Sequence, residues 1–145
     1  MRTKARALDG RDWLLLAEAG VAVLAAQAAL ALVPFRRVAD GAGRLVERPG
    51  DAAADPGQRA AAEKIGWAVR AVARRTPWAT KCLAQALAAK WLLNRRRLPG
   101  TLYLGVRGTQ TAGKSLAAHA WVRSGGMTLT GESGAESFRV IGMFE

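Results

Sequence analysis

The sequence predicts an α+β fold in which N-terminal helices are followed by a small antiparallel sheet. Apolar residues before Gly100 recur three or four positions apart, as in helices, whereas those after it alternate as in strands. Alanine, the strongest helix former, supplies 31 of the 145 residues, most of them before Gly100. Helices that precede the strands, without alternating with them, favour α+β over a parallel α/β sheet.

The chain has the length of a single domain, residues 1–145, which we divide into three parts. Residues 1–50 hold a first helix and a connector, residues 51–100 hold two helices with a candidate nucleophile, and residues 101–145 hold the sheet with a candidate histidine. Half of the residues are hydrophobic, too many for a disordered chain. We therefore expect one folded core that needs no metal or disulfide to hold it.

The first predicted helix covers residues 13–33, with Asp12 as its N-cap and Pro34 ending it. This apolar run is long enough to cross a bilayer, which takes about 20 residues. Glu18 and Gln27 lie inside it, however, and an apolar helix also suits a protein core. We expect a core helix rather than membrane insertion.

Two further helices are predicted before the sheet. Asp55 caps the first of them, which has Pro56 at its first position and ends before Pro77. The other covers about residues 81–97 and ends before Gly100. The apolar positions at helical spacing are Ile65, Val69, Val72, Leu83, Leu87 and Trp91.

The last third of the chain reads as strands. Residues 101–107 alternate around apolar positions, and residues 116–123 and 127–130 flank Ser124-Gly125-Gly126, which is typical of a hairpin turn. Residues 138–144 form a last short strand. The strands therefore predict an antiparallel sheet.

Charge and cysteine usage limit the function classes. The net charge of +11 allows a nucleic acid, an anionic membrane or an acidic peptide as partner. No zinc-finger spacing or RNA-binding aromatic signature accompanies it. One cysteine and one histidine exclude a disulfide framework, a cysteine-based zinc site and a histidine-cluster metal site, so we expect no metal and no cofactor. A lone reduced thiol favours the cytoplasm.

Residues 108–115 match the phosphate-binding P-loop pattern letter for letter. That mechanism needs a long helix after Lys114 and an acidic residue on a later strand for magnesium. Gly125 and Gly126 leave room for only a short helix after Lys114, and no aspartate follows Asp55 to bind magnesium. We interpret the match as a Gly/Thr loop in which Lys114 alone offers an anion contact.

Cys82 and His119 are the residues that point to catalysis. Cys82 comes at the start of the third helix beside Lys81, and free N–H groups at a helix start favour a thiolate and can stabilise an oxyanion. His119 lies on a predicted strand. A cysteine at a helix start that faces a histidine on a strand is the papain-like arrangement of nucleophile and base. Glu132 is the nearest acidic residue downstream and a candidate to orient the imidazole.

Each of these residues also has a purely structural interpretation. Cys82 can be a small buried hydrophobe, as many lone cysteines are. His119 can be a hydrogen-bonded core imidazole, and Glu132 a solvated turn residue.

The residues around Cys82 and His119 resemble those of one known family. On the nucleophile helix the similar residues are 77–78, 82–83, 85–88, 92–93 and 95–96. On the sheet they are 104–106, 118–122, 130–131 and 144, and near the N-terminus they are 12–15 and 34–37. Together they resemble the stand-alone, transglutaminase-like leader peptidases of lasso-peptide biosynthesis.

The resemblance implies a papain- or transglutaminase-like fold and an intracellular cysteine peptidase that removes the leader from a ribosomally made precursor peptide. Cys82 would be its nucleophile, and His119 its general base and then acid. The implied partners are the precursor peptide, a separate leader-recognition domain protein and a lasso cyclase. It implies no cofactor and no nucleic acid.

The chain departs from the family at one position. The family often has aspartate about twelve residues beyond the histidine, where this chain has Gly131. Glu132, a backbone carbonyl that holds the imidazole, or a simple dyad remain as alternatives. The departure and the high charge favour a second function, a catalytically silent basic module that binds an acidic peptide or nucleic acid. The first helix alone suggests a third, a membrane-anchored accessory protein.

Overall fold

The structure, a computed structural model, describes residues 7–47, 55–76, 82–108, 116–131 and 135–145. The fold is α+β, as the sequence predicts, with a short helix and a two-residue strand inserted after the first helix. The helices described are α1 (Gly10–Leu32), α2 (Phe35–Ala42), α3 (Pro56–Arg75) and α4 (Cys82–Arg95), with a 3-10 turn at Ala135–Ser137. The strands described are β1 (Leu45–Val46), β2 (Thr101–Gly108), β3 (Leu116–Ser124), β4 (Met127–Thr130) and β5 (Arg139–Phe144).

The five described strands form one antiparallel sheet in the order β1-β5-β2-β3-β4. The predicted hairpin between β3 and β4 is confirmed. Its turn has Gly125 at φ 56° and Gly126 at φ 80°, and glycine adopts such positive φ angles without steric cost. β2 and β3 pair without a bulge, so side chains alternate regularly between the two faces of both strands.

The helices cover one face of this sheet. α3 and α4 pack on the strands, and α1 packs on α3 and α4. The core between the layers is apolar, which agrees with the predicted single core. Its largest fully buried side chains are Val23, Ile65, Val69, Leu87, Leu93, Leu102, Val122 and Leu129.

The start and the surroundings of α1 differ from the prediction. Asp9, not Asp12, is the N-cap, and its side chain accepts from the backbone N–H of Asp12 at 2.9 Å. Asp12 is the third helical position of a capping box, which the preference for an acidic residue at that position explains. The expectation of a core helix is correct on one side only, because just five of the 23 residues of α1 are buried. The connector expected after Pro34 instead forms α2 and β1.

The cap of α3 is as predicted. Asp55 accepts from the backbone N–H of Gln58 at 2.8 Å, and Pro56 is the first helical residue. Within the described residues α4 is shorter than predicted and ends at Arg95. The chain then turns through Arg97 at φ 53°.

Hydrogen bonds from Lys90 connect the end of α4 to the chain that follows it. Its side chain is almost fully buried, and Nζ donates to Oδ1 of Asn94 at 2.9 Å and to the carbonyl oxygen of Gly100 at 2.8 Å. Asn94 in turn donates to the carbonyl oxygen of Ala42 at 2.8 Å. Burial holds the pKa of the Lys90 ammonium below its usual range, and the carboxylate of Glu145 opposes that shift.

The buried ammonium makes folding stability depend on pH. Since the pKa of Lys90 is lower in the folded protein, the unfolded chain binds more protons between that pKa and about 10.4, and the free energy of unfolding rises with pH there. We expect Lys90→Met to remove this rise and to cost about 1–3 kcal/mol at pH 7, because it removes the two hydrogen bonds that the buried ammonium donates to Asn94 and Gly100. Urea unfolding from pH 7 to 10 measures both effects. Lys64→Met, at a half-exposed lysine, is the control and should keep the slope.

Candidate active site

Cys82 is the first residue of α4, and its side chain is partly exposed. The free backbone N–H groups of a helix start surround such a position, and they favour negative charge on sulfur or on an oxyanion. The predicted placement of Cys82 at a helix start is therefore confirmed. Residues 77–81, which include the predicted contribution of Lys81, lie outside the described residues.

His119 lies on β3, as predicted, and other groups hold its ring in place. Nε2 is 2.6 Å from the carbonyl oxygen of Gly131. A carbonyl oxygen can only accept, so this contact places the proton on Nε2 and leaves Nδ1 as the free proton acceptor. The ring also stacks on Trp121, with centroids 5.6 Å apart, and contacts Phe138, with centroids 5.0 Å apart.

Gly131 occupies the position at which the family resemblance expects aspartate. Its φ is +71°, and an added Cβ would lie 2.5 Å from the carbonyl oxygen of Ala120 and 2.9 Å from Cβ of Trp121. A side chain therefore has no room here, and the backbone carbonyl contacts the imidazole instead. Glu132, the substitute candidate, lies outside the described residues.

Cys82 and His119 line the same small cavity, which has a volume of about 230 Å³ and almost wholly apolar walls. Phe35 from α2 and Ile141 from β5 also line it, and both are exposed. The cavity can therefore admit an apolar side chain of a peptide beside the thiol.

The thiol and the imidazole are not hydrogen-bonded to each other in the described part of the chain. Alternation along β3 explains this. Ala120 and Val122 belong to the core on the helix side, whereas His119 shares the opposite face with Trp121. The structure brings Cys82 and His119 to one cavity without assembling them as a pair, and catalytic hydrogen bonds often form only when substrate binds.

A second, larger cavity of about 650 Å³ lies between α3 and β4, with Gly131 at its edge. Arg70, Arg123 and Glu63 line it. Arg70 donates to the carbonyl oxygen of Leu129, and Arg123 donates to the carbonyl oxygen of Gly126 at 3.2 Å. This polar cavity therefore approaches the carbonyl that holds His119.

Several arginines of this basic chain make contacts within the protein. Arg70 binds Leu129, and Arg96 donates to Oε1 of Glu18 at 3.0 Å, with Arg95 also close to Glu18. The Arg96 hydrogen bond, together with the charges of Arg96 and Arg95, lowers the pKa of Glu18.

Residues 109–115 of the P-loop match lie outside the described residues. Within the described residues, no group of three His, Cys, Asp or Glu side chains could hold a metal ion.

Sequence reasoning missed three features of this site. The stacking of His119 on Trp121 was available from their spacing of two on one strand, which places both on one face. Phe35 at the cavity and the polar cavity at β4 had no sequence signal, because they depend on how α2 and α3 pack.

A family model described as the transglutaminase-like superfamily matches residues 29–143, which is most of the chain. No curated protein and no solved structure matches it.

Proposed function

The chain belongs to the transglutaminase-like superfamily, which includes cysteine peptidases, and from that premise we propose that it is a cysteine peptidase that removes the leader from a lasso-peptide precursor. Cys82 is the proposed nucleophile and His119 the proposed general base and acid. The observation that carries the proposal is that the one cysteine and the one histidine of a superfamily member line a single cavity, on the helix start and the strand where the papain-like mechanism needs them.

The proposed reaction is acyl transfer. Nδ1 of His119 takes the thiol proton, and Sγ of Cys82 attacks the carbonyl carbon of the scissile bond. The free N–H groups at the start of α4 stabilise the oxyanion. The imidazolium then protonates the leaving amine, which is the new N-terminus of the core peptide, and water releases the leader from the thioester.

Two contacts of His119 support its role. The hydrogen bond from Nε2 to Gly131 fixes the tautomer that exposes Nδ1, which is the role that the third member of a triad plays. Trp121 and Phe138 restrict the ring on two sides. Formation of the pair requires the ring of His119 and the start of α4 to approach each other, and we propose that the free protein already makes this approach.

The precursor peptide, a separate leader-recognition protein and a lasso cyclase are the partners that this function requires. The apolar cavity suits an apolar side chain next to the scissile bond. The cytoplasm is the proposed location, because the thiol must stay reduced.

The test is a reconstituted cleavage reaction. The protein is mixed with a lasso-peptide precursor and its leader-recognition protein, and the products are followed by mass spectrometry. We expect one cut between leader and core. Prior alkylation with iodoacetamide should abolish it, since Cys82 is the one thiol of the chain.

The second candidate function is a catalytically silent basic module that binds an acidic peptide. It is favoured by the net charge of +11 and by the missing hydrogen bond between Cys82 and His119. Binding of the precursor without cleavage, unchanged by alkylation, contradicts the peptidase and supports this module.

A further inference from the structure

One side of α1 is apolar along its length and has no partner in the described structure. The exposed positions follow helical spacing of three or four from residue 14 to residue 32, a distance of about 27 Å, and the smaller ones are alanines. The large exposed side chains are Trp13 (58%), Leu14 (73%), Val21 (68%), Leu24 (51%) and Leu32 (83%). We call the row from Leu14 to Leu32 the α1 outer face. Monomeric soluble proteins seldom expose a continuous apolar surface of this length.

The other side of α1 is firmly part of the protein. Ala19, Val23 and Ala26 are fully buried against α3 and α4. Asp12 forms an ion pair with Lys64 at 3.2 Å, and Glu18 accepts from Arg96. Among the described helices α1 alone has the length and apolar composition to cross a membrane, but crossing would break these contacts and carry two carboxylates into lipid. Its attachment therefore favours a helix that lies flat on a surface.

Basic and aromatic side chains stand at both ends of the α1 outer face. Arg11 and Trp13 are exposed at its start, and Phe35, Arg36 and Arg37 are exposed just after its end. No charged residue is exposed between Arg11 and Arg36. Aromatic rings and cations that flank an apolar stripe are typical of helices at the interface of an anionic bilayer.

The same charges argue against a second copy of this chain. In an antiparallel pair of α1 helices, Arg11 of one copy would lie near Arg36 and Arg37 of the other, and the exposed Asp9 and Asp40 would offset at most two of these three positive charges. In a parallel pair, equal charges would meet at each end. Like charges at an interface oppose association, whereas anionic lipid headgroups neutralise both ends.

We propose that the α1 outer face docks the protein on the surface of an anionic phospholipid bilayer, with α1 parallel to the membrane plane. Residues 14–24 of this face precede the part of the chain that matches the superfamily, residues 29–143. Docking through this face uses none of the residues proposed for catalysis. It is independent of whether Cys82 is catalytic.

The test is co-sedimentation of the full-length protein with vesicles. One set contains phosphatidylcholine and phosphatidylglycerol at a ratio of about 3:1, and the other contains phosphatidylcholine alone. We expect at least ten-fold tighter binding to the anionic vesicles, weakening as salt is raised. Light scattering of the free protein reports its oligomeric state.

Two variants, each with a matched control, separate the contribution of the apolar side chains from that of the basic residues at the end of the face. Val21→Glu/Leu24→Glu places two charges on the α1 outer face and should reduce binding at least ten-fold. Leu45→Glu/Val140→Glu places two charges at exposed apolar positions of the sheet and should leave binding nearly unchanged. Arg36→Glu/Arg37→Glu should reduce binding to anionic vesicles. Its control, Arg123→Glu/Arg139→Glu, makes the same change in net charge on the sheet.

All of the replaced side chains are exposed, so circular dichroism should show that the variants remain folded. Equal binding of wild type and Val21→Glu/Leu24→Glu overturns the proposal. The proposal is also overturned if the wild-type protein binds neither kind of vesicle, including the case in which it forms a dimer through α1. Equal affinity for the two vesicle types would show that anionic lipid is not required, and this result overturns the proposed docking on an anionic bilayer.

Discussion

Gly131→Ala is expected to lower the free energy of unfolding by about 2–4 kcal/mol. A non-glycine residue at φ +71° costs about 1 kcal/mol, and the new Cβ, 2.5 Å from the carbonyl oxygen of Ala120, adds about 1–3 kcal/mol of overpacking. The same Cβ lies 3.2 Å from Nε2 of His119, so the substitution also displaces the imidazole. Urea unfolding followed by circular dichroism measures the loss.

Gly126→Ala is the matched control. Gly126 has a similar φ of +80°, but an added Cβ there has no atom within 4 Å. Its cost should be about 1 kcal/mol, the backbone contribution alone. Equal losses for the two variants would mean that the crowding around Gly131 is absent in solution, and the carbonyl would then lose its assigned role of holding His119.

The local rules of the sequence predicted much of the fold. Asp55 with Pro56, and the glycine pair at 125–126, each occur where one backbone geometry is strongly favoured, and the structure has α3 and the hairpin there. The start of α1 was placed wrongly because Asp9 and Asp12 both suit a helix start, and only the capping box decides between them. The exposure of α1 had no local signal, because it depends on which helices lie beside it.

The candidate site was predictable in its residues and not in its contacts. Cys82 and His119 were identifiable because the chain has one of each and their elements could be predicted. A backbone carbonyl, here that of Gly131, was one of several alternatives for the group that holds the imidazole. Every residue has a backbone carbonyl, so the sequence does not indicate which one accepts. The absent hydrogen bond between thiol and imidazole follows from strand alternation, which places the ring on the face of Trp121.

Cys82→Ala and His119→Ala are each expected to reduce the rate of leader cleavage at least about 10³-fold, and the double variant little further. A nucleophile and its base act as one unit, so that removing either loses nearly the whole contribution. Single-turnover cleavage of the precursor measures the three rates. Arg107→Ala is the control: its guanidinium lies 4.7 Å from the ring centroid of Phe138, and the variant should retain most of the activity. If the fold-loss of the double variant equalled the product of the two single losses, the two residues would act independently, which would contradict a shared mechanism.

The pairing of Cys82 with His119 is the central claim, and it can be measured without any substrate. The chain has one thiol, so its reaction with iodoacetamide can be followed from pH 5 to 9 by the mass of the intact protein, in the wild type and in His119→Ala. We expect the wild-type thiol to react faster than the thiol of His119→Ala at neutral pH, because the imidazole takes the thiol proton. Identical profiles for the two proteins would contradict the pair and leave Cys82 as a structural residue.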